Sequence, residues 1–377
     1  MGWNNPPVRW SELERALSGK PFDTGDGGDS PAWSHHRGPY VPPPEIGLPG
    51  ATDHPGGTER VPYAELHCHS NFSFLDGASH PEELVEAAAL QGLEAIALTD
   101  HDGMYGVVRF AEAAKELGVR TVFGTELSLG LPAPQTGVPD PAGEHMLLLA
   151  RQLEGYTALC RTISTGQLNG GEKGRPVYDL DQVVDLTRDH CVVLTGCRKG
   201  AVRRALDTVG PDAAAEQLLR LVDLFGQDNV FVELIDHGMP HDTARNDVLA
   251  AMAAYYKLPT VATNAVHYAH PSRGRLAAAM AAVRARKSLD EMAGWLPPSP
   301  TAYMRSGAEM KARFEPRYPG AVQRAAVLGV ECSFDLRLVA PKLPPFDVPP
   351  GHDEDSYLRL LTYQGAAQRY GSAEARP

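Results

Sequence analysis

Residues 63–69 read YAELHCH. The run is short and mostly apolar, which suits a buried strand, and it closes on His67-Cys68-His69. Residues two apart on a strand face the same side, so the two imidazoles share one face and Cys68 points away from them into the core. Downstream, further short apolar runs lie at 95–99, 121–128, 146–150, 191–195, 230–235 and 260–263. Between them, amphipathic stretches at 81–91, 105–117, 156–167, 213–225 and 242–256 predict helices. Pro81 suits a first helical turn, and Glu82 and Glu83 suit its positive end. Regular strand–helix alternation predicts an α/β fold with a parallel sheet, and seven such units in about 210 residues predict a barrel.

The flanks read differently. Residues 1–60 form an N-terminal extension with a short helix expected at 10–17, followed by a Gly-, Pro-, Asp- and Ser-rich stretch at 21–60 that buries little. The barrel is expected at 61–285 and a mainly helical connector with proline breaks at 286–340. A proline-rich link at 341–350 leads into a further helix from about 353, so 341–377 reads as the beginning of another domain. With 377 residues and 43% hydrophobic content, the chain can bury a large core. Its formal net charge of −12 argues against a surface built throughout for nucleic acid. Cys68, Cys160, Cys191, Cys197 and Cys332 are few and scattered, which fits a reducing cytoplasm rather than a disulfide framework. Neither a signal peptide nor a membrane span is expected.

Metal-ligand residue types recur where the predicted strands meet one rim, the face on which such barrels carry their sites. The first strand brings His67 and His69, with Asp76 in the loop after it. The second ends in Asp100-His101-Asp102, and the third carries Glu126. His145 opens the fourth, Cys197 follows the fifth and His267 follows the seventh. Each has an ordinary explanation alone. Asp76 before Gly77 is a common turn pair, His145 could be a surface histidine and Cys197 a small buried hydrophobe. Asp100 is expected to orient a neighbouring ligand rather than to bind metal. His237 and His241 are expected to be exposed. Six of seven strands meeting one rim this way outweighs the separate explanations. Imidazole, carboxylate and thiolate together suit Zn²⁺, Mn²⁺ or Fe²⁺ better than Mg²⁺ or Ca²⁺.

Taken together, His67-x-His69, Thr99-Asp100-His101, Gly124-Thr125-Glu126, His145, Gly196-Cys197 and Asn264-Ala265-Val266-His267 resemble the PHP (polymerase and histidinol phosphatase) family over about residues 61–285. The resemblance implies a distorted seven-stranded (β/α)7 barrel with a trinuclear metal centre, and the number of donors in this chain predicts two to three divalent ions, Zn or Mn. Its ligands fall on His67, His69, Asp76, His101, Glu126, His145, Cys197 and His267. The family's ninth ligand is an Asp two residues before the last His. Ala265 stands there in this chain, so the 3′–5′ exonuclease or phosphoesterase activity of such domains is expected to be weak or lost.

The opening MGWNNPPVRWSELE and the tail CSFDLRLVAPKLPPFDVPPG extend the likeness. Over essentially its whole length the chain is similar to the N-terminal part of bacterial error-prone DNA polymerases. These belong to family C and are similar to the polymerase III alpha subunit. That implies a DNA-directed DNA polymerase of translesion synthesis and damage-induced mutagenesis in the cytoplasm. DNA would be bound mostly through downstream domains, and replication or mutasome proteins are the implied partners. On this likeness 341–377 is the start of the palm region. The family's Pro-Asp-x-Asp-x-Asp motif is not in this stretch, which is therefore not expected to polymerise DNA. Two other readings use the same metal set: a stand-alone phosphoesterase of the histidinol-phosphatase kind, and a non-catalytic scaffold.

Overall fold

The computed structural model describes residues 40–44, 46, 60–133, 138, 140, 142–336 and 346–371. The expected helix at 10–17 and most of the 21–60 stretch lie outside the described residues. Among the described residues, seven strands form one sheet in sequence order: β1 (Ala64–Glu65), β2 (Ala95–Leu98), β3 (Arg120–Leu129), β4 (Glu144–Ala150), β5 (Cys191–Leu194), β6 (Val230–Ile235) and β7 (Thr260–Thr263). The helices α1 (Pro81–Leu90), α2 (Val107–Leu117), α3 (Gln152–Gly170), α4 (Leu180–Thr187), α5 (Ala201–Thr208), α6 (Pro211–Phe225) and α7 (Asp242–Tyr255) lie between strands. Beyond β7 come α8 (Gly274–Ala285), α9 (Gly307–Phe314) and α10 (Ala321–Cys332). Strand residues are buried on both faces, as a sheet covered by helices requires.

The expected all-parallel sheet needs one correction. β4 runs antiparallel to both β3 and β5, while the other neighbours are parallel. A parallel return needs a crossover, usually a helix. No described residue between β3 and β4 is helical, and the chain comes straight back, pairing Leu129 with Glu144 and Gly124 with Leu149. The reversal has a consequence for the rim. His145, at the start of β4, pairs with Ser128 near the end of β3, so a strand beginning joins the strand ends.

The ring closes between its first and last strands by one parallel bridge, Cys68 with Val266. Val266 N–H donates to the His67 carbonyl and His69 N–H to the Val266 carbonyl, each at 2.8 Å. α10 packs over this seam against β7, β1 and β2. The fit is close enough that a Cβ on Gly329 would lie 2.4 Å from the Ala64 Cβ. Phe334, just after α10, exchanges hydrogen bonds with Thr121 and sets its ring 5.0 Å from that of Phe123. Residues 286–336 therefore belong to the same compact unit as the barrel, which runs to Leu336. Residues beyond it form a separate unit whose helix α11 (Glu354–Tyr370) is capped by Asp353, which accepts from Ser356 N–H at 2.8 Å.

Candidate metal centre

All eight residues expected as ligands line one cavity of about 1610 Å³ at the rim. His67 and His69 follow β1 in extended backbone, and their Nε2 atoms lie 3.1 Å apart. The Nδ1 of His67 is 2.8 Å from Glu233 Oε1, and the Nδ1 of His69 is 3.3 Å from Ser73 Oγ. If each Nδ1 carries the proton for those contacts, two Nε2 lone pairs face each other. Such a pair is unfavourable unless a proton or a metal cation lies between.

Glu126 on β3 sits in the middle. Its Oε2 is 3.1 Å from His145 Nδ1, 3.4 Å from His69 Nε2 and 3.5 Å from His101 Nε2. Its Oε1 lies 3.6 Å from His67 Nε2 and takes no hydrogen bond. Asp76 is the second carboxylate. Its Oδ2 lies 3.3 Å from His267 Nε2, 3.7 Å from His101 Nε2 and 3.8 Å from His69 Nδ1. Its Oδ1 pairs with Arg284 Nη1 at 2.9 Å. Cys197 Sγ is 3.5 Å from His145 Nδ1. Among the described residues, three groups have donor atoms close enough to share an ion: His67, His69 and Glu126; His69, Asp76 and His101; His101, Glu126 and His145.

The electrostatics keep both carboxylates charged among the imidazoles. Burial would raise Glu126, yet His145 and His67 hold it well below the usual carboxylate range. Burial likewise opposes Asp76, and His267 brings it well below. Burial and then the neighbouring His101 and His267 push His69 well down, whereas Glu233 and Glu126 overcome burial to carry His67 up. Burial, then Glu126, pushes the Cys197 thiol well up, so it needs a metal to become a thiolate. Buried carboxylate oxygens without hydrogen bonds, facing imidazoles, and a thiol beside them fit divalent N, O and S coordination.

A supporting layer fixes these rings. Asp100 reaches the cluster through serines. It accepts from Ser70 N–H, Ser70 Oγ and Ser73 Oγ, each at 2.7 Å. Ser73 in turn accepts from His101 N–H at 3.1 Å and stands beside His69 Nδ1. Asp102 turns the other way, accepting from Ser128 N–H at 2.8 Å and Tyr178 OH at 2.9 Å.

Three residues were not anticipated. Glu233 on β6 orients His67 and also takes a hydrogen bond from Thr263 Oγ1. Glu65, pushed up to about 7 by burial, accepts from Tyr63 OH, His67 N–H and Asn264 N–H. Arg284 comes from α8. A signal existed for the first two: each is a lone acid inside an apolar strand, and Glu65 shares the face of His67. His237, expected in solvent, is half-buried and donates from Nε2 to the Asn264 carbonyl at 2.7 Å. Ala265 is 3% exposed with φ of 42°, a left-handed conformation that a non-glycine residue adopts at a cost. Its carbonyl lies 2.7 Å from His267 Nδ1.

Residues 65–237 match the PHP domain family model. Over 383 residues the chain is 55% identical to an error-prone DNA polymerase of Mycolicibacterium paratuberculosis, covering 100% of this chain and 34% of that protein. It is 54% identical to one of Mycobacterium tuberculosis (100% and 34%) and 50% identical to one of Cutibacterium acnes (98% and 32%). The chain thus spans about a third of the length of these relatives. An amidohydrolase structure from Chromobacterium violaceum covers 54% of this chain and 87% of its own, at 17% identity and a TM-score of 0.40.

Proposed function

The chain corresponds to the N-terminal, PHP-bearing portion of the error-prone DNA polymerases, and from that premise we propose that it is the metal-binding module of a polymerase used in translesion synthesis after DNA damage. We further propose that its rim cluster hydrolyses phosphoesters at a DNA end. The observation that carries this reading is Glu126, a buried carboxylate with four imidazoles within 3.6 Å and one oxygen free of hydrogen bonds. His67, His69, His101, His145, Cys197 and Glu126 would hold the ions, Zn or Mn by donor type, with Asp76 and His267 at the edge of the set. Bound ions would supply the charge that activates water and offsets negative charge at phosphorus. The protein's part is positional. Glu233 and the Asp100–Ser73 pair lock the tautomers of His67 and His69, so that each offers Nε2 to the cavity. Lys173 and Arg275, both exposed on the cavity wall, are placed to meet a phosphodiester backbone.

A second reading is favoured by Ala265, whose methyl cannot coordinate: the ions hold the barrel together without hydrolysis. One experiment separates the two. The purified chain, stripped with chelator and reloaded with Mn²⁺ or Zn²⁺, is given a single-stranded oligonucleotide labelled at its 5′ end. Shortening from the 3′ end that requires metal and is abolished in Glu126→Gln supports hydrolysis. Tight metal binding without shortening leaves the structural role.

A further inference from the structure

The corner of the site around Asp76 is built unlike the rest. Among the described residues, each group of three side chains able to share an ion is drawn from His67, His69, Asp76, His101, Glu126 and His145. His267 is in none of them. Its Nδ1 faces the Ala265 carbonyl at 2.7 Å, and its Nε2 faces Asp76 Oδ2 at 3.3 Å. The backbone beside it presents the methyl of Ala265 to the cavity. The other Asp76 oxygen is already taken by Arg284 at 2.9 Å. The Arg284 Nε is buried without a hydrogen-bond acceptor, so the pair with Asp76 is the contact that explains where this guanidinium lies.

We propose that Arg284 is the fixed cation of this corner, neutralising Asp76 where an ion would otherwise do so, and that the centre therefore holds two ions rather than three. The inference rests on the reading of Glu126 and its histidines as metal ligands. A neutral imidazole has one ring nitrogen free to donate and so serves a single ion. With Glu126 bridging, His67 and His69 serve one ion, and His101 and His145, with Cys197 alongside, serve the other. His69 and His101 are then spent, leaving a third ion only His267 and one oxygen of Asp76. That ion would also share its carboxylate with a guanidinium, which keeps its charge at any working pH.

The test is a metal count on the purified chain. Protein equilibrated with excess Mn²⁺ or Zn²⁺ and freed of unbound metal is analysed by mass spectrometry of the elements. Two ions per chain are expected. The double variant Arg284→Gln, Ala265→Asp should take a third ion, bound roughly tenfold or more tighter than any third ion of Ala265→Asp alone. Three tightly held ions in the unaltered chain would overturn the proposal. So would a double variant that keeps the circular dichroism of the unaltered chain and still holds two. Should the double variant misfold, the count on the unaltered chain and calorimetric titration of Arg284→Gln decide: a third, weak site must emerge in Arg284→Gln. Two ions with no hydrolysis would defeat only the hydrolytic reading, three ions with hydrolysis only this one, and no ions both.

Discussion

The barrel's two most different joins meet at the rim cluster. β3 and β4 pair over six residues, and behind them Phe123 is surrounded by Phe110, Tyr156 and Phe334. β7 and β1 meet through the single bridge of Cys68 and Val266, with α10 laid over the gap. Glu126 and His145 belong to the first join; His67, His69 and His267 flank the second. The difference teaches that the site is not carried by one rigid wall. It spans a stiff hairpin and a thin seam, and an ion bound by both sides would rivet them.

The largest expected effect follows from that. Metal at a thousandfold over its dissociation constant should stabilise the fold by about 4 kcal/mol for each independent site. Amide exchange should slow most at His69 and Val266. Equal protection of the β3–β4 hairpin and the seam on metal addition would break the comparison. Imidazoles and thiol must lose their protons to bind, so this stabilisation is present at neutral pH and disappears as pH falls. The depressed folded pKa values of Asp76 and Glu126 act in the same direction. Their contribution is present above the unfolded carboxylate value near 4 and is lost as pH falls through the folded values. Thermal melts with and without metal across the acid range would show it.

Next in size, Phe123→Ala should cost about 3–5 kcal/mol in denaturant unfolding. If it cost less than a seam mutation, the hairpin would not be the stiff side. Gly329→Val puts a side chain where α10 touches Ala64 and should cost about 1–3 kcal/mol. Metal affinity should fall along with stability there, because the seam carries His67 and His69. The smallest effect is at Ala265. Ala265→Gly relieves the left-handed backbone and should stabilise the metal-free chain by about 1 kcal/mol, leaving the metal count unchanged.

Strand positions were legible because apolar runs alternate with Gly, Pro and charge. The direction of β4 was not, since a strand's composition does not record which way it runs. The one hint was the preceding LPAPQTGVPDPAG stretch, too rich in Pro and Gly for a crossover helix. The eight rim residues stood out as polar types at strand ends and do share a cavity. Glu65 and Glu233 could have been found by asking why a lone acid sits within an apolar strand. Arg284 could not, because helical spacing gives the face of α8 on which it lies but not what that face meets. The role of α10 was hidden for the same reason: an apolar stripe does not name the sheet it covers.

The bridge that closes the ring also sets a timetable. Asn264 N–H donates to Glu65, a partner 199 residues earlier in the chain. During synthesis β1 emerges first and must wait, with His67 and His69 lacking their neighbours, until β7 and then α10 have left the ribosome. Contacts this distant in sequence form slowly. The rim cluster is therefore assembled near the end of folding, and ions that need both sides of the seam would bind only once the barrel has closed.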